Sequence, residues 1–209
     1  TCLYSVMTYN LGTLQRRLIT LIEEFKRARD SWEEINSHAF PLANTLTNSV
    51  IQSRYVDEPQ YWHPLLTMEF PNLIQKFDRK MQVLIEKQNE SLCDLVEKMG
   101  KQYNKMQNQL RELCTLYDRT KATNEQVDMQ PIFKTCSLNN YMQRMDILVK
   151  MYSMELETKR SLVSNGIKNI LTREEGVVIL SIWINQPSLV KSSLQEWVDI
   201  CTTEMELSS

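Results

Sequence analysis

An apolar stripe about fifty residues long, enough for a helix of roughly 70 Å, constrains this chain more than any other feature. It reads Leu73, Phe77, Met81, Leu84, Gln88, Leu92, Leu95, Met99, Tyr103, Met106, Leu110, Leu113, Tyr117, at steps of three and four, and only Gln88 interrupts it. A strand alternates with period two, so this spacing predicts a helix, from about Pro71 to Arg119. No small single-layer domain covers a helix of that length. Its stripe must be buried by other long helices, from this chain or another. The expected fold class is therefore all-α, an elongated helical bundle around one very long central helix.

The remaining sequence fits that reading. Leu14, Leu18, Leu21, Phe25, Ala28, Trp32 and Ile35 mark a first helix from about Thr13 to Ile35. The run Asn36 to Pro41 is expected to break or bend it, with a second helix from Pro41 to Arg54 burying Leu42, Leu46 and Val50. Tyr55 to Phe70 reads as a connector, because Pro59 and Pro64 disfavour a continuous helix. Tyr61 and Trp62 suggest that it packs onto something. Gly100, inside the long helix, signals either close packing against a neighbour or a bend. Residues 120–135 are polar and form the expected linker between an N-terminal part, 1–119, and C-terminal helices, 136–209. The whole is expected to make one elongated domain. The next helix presents Leu138, Met142, Met145, Val149, Tyr152 and Leu156, and Gly166 ends or breaks it. Thr172-Arg-Glu-Glu175 has capping-box spacing and should open a short helix that stops before Pro187. A last helix carries Leu189, Leu194, Trp197, Val198 and Cys201. Val177–Leu180 is β-prone, but its flanks signal helix.

Composition excludes more than it identifies. The net charge of −2 gives no global basic field for nucleic acid. The long helix carries nine Lys/Arg against seven Asp/Glu, a mixed and solvated face. Lys98, Lys101 and Lys105 share one helical face, but three lysines are a weak patch, and direct RNA binding is not expected. The five cysteines are dispersed, which suits a reducing compartment rather than a disulfide framework or a zinc site. No apolar run is long enough to span a bilayer, and no signal-peptide pattern opens the chain. His38 and His63 lack helical His or Cys partners for a metal. Neither a phosphate loop nor a nucleophile elbow is present. No catalytic site, cofactor or metal is expected.

Two groups of residues are candidates for partner binding. Leu180, Trp183, Ile184 and Pro187 form an apolar corner before the last helix, read either as a docking site or as a helix end seated in the bundle. Leu92, Leu95 and Met99 lie at mid-stripe, where Met81, Met99 and Met106 suit either a core or an adaptable recognition surface.

The run Glu69-Phe-Pro-Asn-Leu-Ile-Gln-Lys-Phe-Asp-Arg-Lys80 resembles the corresponding stretch of the AIRIM family of ribosome-maturation factors. So does Met129-Gln-Pro131 ahead of Met151-Tyr-Ser-Met-Glu-Leu-Glu-Thr-Lys-Arg-Ser-Leu162. Leu180-Ser-Ile-Trp-Ile-Asn-Gln-Pro187 and Trp32-Glu-Glu-Ile-Asn-Ser-His-Ala-Phe40 are similar to the companion family CINP, the cyclin-dependent-kinase-interacting proteins. The resemblance implies a noncatalytic adaptor subunit of an AAA ATPase complex of the SPATA type. That complex acts in maturation of the pre-ribosomal large subunit, in cytoplasm and nucleus, and the adaptor pairs with a related helical subunit. The alternatives are a CINP-type subunit of the same complex with a role at replication forks, and a homotypic coiled-coil scaffold. The proline breaks and a mean stripe step of roughly 3.7, rather than 3.5, argue against a simple rod.

Overall fold

A computed structural model describes residues 11–205. They form α1 (Leu11–Arg54), a 3₁₀ turn (Pro59–Tyr61), α2 (Pro64–Glu69), α3 (Leu73–Thr123), α4 (Leu138–Ser161), α5 (Arg173–Asn185) and α6 (Lys191–Met205). The only β pairing among these residues is an isolated bridge between Pro131 and Ser137. The fold is all-α, and α3 is its longest element, as the stripe predicts. The β-prone Val177–Leu180 run is helical, within α5.

The expected break at Asn36 to Pro41 does not occur. One helix of 44 residues runs through it, with Pro41 inside. Trp32, Asn36, Ala39, Ala43, Leu46, Thr47 and Val50 are all buried, so the inward stripe keeps its phase across the proline. The carbonyl that loses its donor to the proline belongs to Ser37, four residues back, and Ser37 is exposed to water. A solvated carbonyl costs little, and the continuous buried face outweighs it.

The buried seam of α3 keeps Met81, Leu92, Met99, Met106, Leu113 and Tyr117 of the expected stripe but departs from it at Phe77, Leu84, Gln88 and Leu95. From Ile85 onward it runs Ile85, Asn89, Leu92, Val96, Met99, Tyr103, Met106, Leu110, Leu113, Tyr117, Thr120, in strict alternation of four and three. Tyr103 and Leu110 are half-buried and the other nine are buried. The mean step is therefore that of a heptad seam, about 3.5. Leu84 points to solvent, and Gln88 and Leu95 are only partly covered. Buried Asn89 is the reason for the error: a polar residue inside the seam diverts a hydrophobicity-based reading by one position.

The chain divides into two compact units, each assembled from separate segments. The first contains α1 up to Ser31, residues 101–154, and the chain from Ser188 onward. Its core centres on Trp197 of α6. Trp197 meets Phe25 of α1 edge-on, with ring centroids 6.0 Å apart, and Tyr141 of α4 at 6.3 Å. The loop before α4 is tied to α6 by Glu204, which is buried. Its carboxylate accepts hydrogen bonds from the backbone N–H groups of Lys134, Thr135 and Cys136, at 2.8–3.2 Å, and from the Thr135 hydroxyl. Burial alone would raise the Glu204 pKa, but these donors outweigh it and hold the acid at about 2. The folded value lies below the ordinary 4.5. The stability gained is thus present above pH 4.5 and is lost as pH falls toward 2. Glu204→Gln should destabilise the chain by about 1.5–3 kcal/mol at pH 7 and abolish that acid-dependent loss, as read from urea melts at several pH values.

The second unit contains Trp32–Gly100 and Glu155–Pro187. Gly100 of α3 packs against α4: a Cβ there would lie 3.3 Å from Arg160 Nη2 and 4.0 Å from Leu156 Cδ2. This glycine sits in close packing against α4. After α4 the backbone widens into a π turn, Leu162–Gly166, and tightens into a 3₁₀ turn, Ile167–Asn169, before α5. Arg54, at the end of α1, donates to the carbonyls of Lys168 and Ile170 at 2.9 and 3.0 Å and holds this reversal in place.

Candidate protein-interaction surface

The α5 corner lies wholly within the second unit. Its helix opens on the expected capping box: the Thr172 hydroxyl accepts from the Glu175 N–H at 3.2 Å, and the Glu175 carboxylate accepts from the Thr172 N–H. Gly176 lets α5 lie hard against α1. A Cβ at this position would come within 2.9 Å of Thr47 Cγ2 and 3.0 Å of Ile51 Cδ1. Seven residues later, two turns along α5, Trp183 is fully buried.

Trp183 sits on a buried charge. The Lys159 ammonium lies 4.5 Å from the centroid of its ring and donates a hydrogen bond to its backbone carbonyl. Lys159 and Glu155, one turn apart on α4, are both fully enclosed, with Nζ 3.5 Å from Oε1. Burial pulls the Lys159 pKa down to about 8, against the opposing pull of Glu155 and Glu33. The corner is closed by Gln186, the left-handed C-cap of α5 with φ of 46°. Its side chain accepts from Trp32 Nε1 and donates to Glu33 Oε2, both at 2.9 Å. The end of α5 is thus pinned to α1 and α4 by buried polar bonds. At low local dielectric such buried bonds are electrostatically strong.

The outward side of α5 is apolar. Val177, Ser181 and Ile184 recur at i, i+4 and i+7 on one exposed face, with Val178 at its edge. Val177, Val178 and Ile184 are between 54% and 63% exposed, unusual for β-branched side chains side by side on one helix. Leu180 is half-buried at the border of this face, and Pro187 is exposed just beyond it.

The candidate residues therefore separate by environment. Leu92, Met99 and Trp183 are enclosed by the chain itself, with no exposed surface. Leu95 and Leu180 are partly exposed, and Ile184 and Pro187 are open to solvent. Sequence reasoning missed Val177 and Val178, which it weighed only as a β signal. Placing them on the helix that Thr172 opens would have put Val177 on the face of Ile184. It also missed Lys159, Glu155 and Gln186, since nothing in the sequence says that these polar residues are buried.

Lys159 is sealed from solvent and serves as an anchor for Trp183. His63 caps α2, its Nδ1 accepting from the Leu65 N–H at 3.3 Å. Among the described residues no three His, Cys, Asp or Glu side chains converge on a metal-sized site. No described helix is long and apolar enough to cross a membrane.

Residues 12–199 match the sequence model of a family described as ribosome biogenesis protein C1orf109-like. The chain is also similar to the cyclin-dependent kinase 2-interacting protein of Bos taurus, at 25% identity over 199 residues, covering 88% of this chain and 90% of the bovine one. These are the AIRIM and CINP families whose likeness the sequence carries.

Proposed function

Because the chain belongs to the C1orf109-like family of ribosome biogenesis proteins, we propose that it is a noncatalytic adaptor subunit of a SPATA-type AAA ATPase complex. In this reading it acts in maturation of the large ribosomal subunit, in cytoplasm and nucleus, paired with a related helical subunit. The observation that carries it is the α5 surface: an exposed apolar face on a helix that buried bonds hold rigid from behind. A preorganised apolar face gives affinity without an ordering cost at the moment of binding. Ile184, Val177, Leu180 and Pro187 form the docking face, and partly exposed Leu95 offers a contact on α3. Trp183, Leu92 and Met99 support the contact from inside.

Reconstitution of the purified chain with its ATPase tests this. Ile184→Asp combined with Val177→Asp should weaken binding at least tenfold, about 1.4 kcal/mol, with the melting temperature unchanged. Trp183→Ala should instead lower the melting temperature. Binding that survives the surface pair removes α5 from the interface. Release of phosphate by the chain alone, with ATP, would rule out a noncatalytic role.

The similarity to the bovine protein, over nine-tenths of its length, favours a second reading, a CINP-type subunit of the same complex. Co-expression separates the two. An AIRIM-type chain captures a CINP-type companion, and a CINP-type chain captures an AIRIM-type one.

A further inference from the structure

We infer that the surface formed by the 3₁₀ turn, α2 and the first turns of α3 is a self-association face, on which a second copy of this chain docks. No residue from Asp57 to Lys80 is buried. Yet this stretch carries Tyr61, Leu65, Leu66, Met68, Phe70 and Phe77, each between 40% and 78% exposed. Helix α2 has six residues and buries none of them. A helix so short is not stable through its own hydrogen bonds, and here it lacks an apolar footing in its own chain. The second copy supplies that footing.

The face carries both halves of a symmetric contact. Its knob is α2, with Leu65, Leu66 and Met68 outward. Its hole is a cavity of about 370 Å³ lined by Gln52, Tyr55, Val56, Tyr61, Trp62 and Phe77. The hole is preformed: Trp62 Nε1 donates to the Val56 carbonyl at 2.7 Å, and the Tyr55–Tyr61 and Trp62–Phe77 ring centroids are each 5.4 Å apart. Trp62 and Phe77, two walls of the hole, bracket α2 in the chain. A two-fold axis beside α2 therefore brings each knob to the other copy's hole, which is an isologous interface.

Area and charge agree with this occupant. The exposed apolar side chains present on the order of 800 Å², one partner's share of a standard interface. Between Asp57 and Lys80 the charges are Asp57, Glu58, Glu69 and Asp78 against Lys76, Arg79 and Lys80. Mixed signs let two identical faces meet without repulsion, and they give no basic patch for RNA or an anionic membrane. Self-association here uses residues separate from the α5 face and does not depend on the adaptor reading.

Sedimentation of the full chain alone decides the matter. At about 50 μM the wild type should run at twice 24.7 kDa and dissociate on dilution. Met68→Glu and Leu65→Glu should each weaken the pair at least about tenfold. Both positions are exposed, so helical content and melting should not change. Met129→Glu, at a position 89% exposed in the first unit, should leave the pair intact. A single-chain wild type at the highest concentration overturns the inference. So does a pair indifferent to Met68→Glu, or one that Met129→Glu disrupts equally.

Discussion

Lys159→Met should destabilise the folded chain by about 3–5 kcal/mol, because it removes the ammonium facing a fully buried Glu155. It also deletes the donor to the Trp183 carbonyl at the end of α5. For a chain of this size that is a fall of roughly 10 °C in melting temperature. Replacing both charges, Glu155→Leu with Lys159→Met, should restore the part of the loss due to the unpaired carboxylate, since a buried ion pair gains little over apolar residues of similar volume, and should leave the cost of the missing donor to the Trp183 carbonyl. A single substitution as mild as the double one would mean that the pair is hydrated rather than enclosed. The pH dependence has a definite sign. Lys159 titrates at about 8 in the folded chain against an ordinary 10.5. Between these values the unfolded chain holds a proton that the folded chain does not, so this site's contribution rises with pH. Subtracting the Lys159→Met curve from the wild type should isolate a positive slope from pH 8 to 10.5. Subtraction is needed because burial raises the Cys201 thiol to about 12, which lowers stability over much of the same alkaline range.

Leu92→Asp and Leu95→Asp should differ sharply, although the two residues sit one turn apart on α3. Leu92 has no exposed surface, so a carboxylate there is cut off from water. Its cost adds the lost leucine packing to the burial of a charge, above about 4 kcal/mol. Leu95 stands at the margin of the seam and can turn a carboxylate to solvent, so its cost should stay below about 2 kcal/mol. Urea melts of the two variants are a direct test of which residues form the seam. Equal losses would favour the stripe through Leu84, Gln88 and Leu95. If Leu95→Asp keeps the fold but lowers affinity for the ATPase complex, α3 adds a contact to the α5 surface.

The same pair of residues shows how far the sequence is legible. A three-and-four repeat over fifty residues admits only a helix, since the period of the backbone is fixed by its hydrogen bonding. The length of α3, the all-α class, the capping box at Thr172 and the bend after α4 were therefore available from the chain alone. What inspection of apolar letters cannot supply is phase where a polar residue is buried. Asn89 in the seam, Asn36 and Thr47 in the stripe of α1, and Glu155 and Lys159 in the second unit all read as solvent positions. Each is buried because neighbouring segments close over it, which is a fact about distant residues.

Pro41 follows the same division. Locally it signals a helix start, and only the packing of Ala39, Ala43 and Leu46 on one unbroken face carries α1 through it. Tertiary structure also decides the character of the α5 corner. The sequence singles out Leu180, Trp183, Ile184 and Pro187 as one apolar cluster, but Trp183 turns inward onto Lys159 while Ile184 faces out with Val177. Periodicity and capping are short-range, set within a few residues, so helix type and the capped start at Thr172 are local, while the continuity of α1 through Pro41 is not. Burial of a particular side chain depends on which helices meet, and that contact is written in residues far apart in sequence.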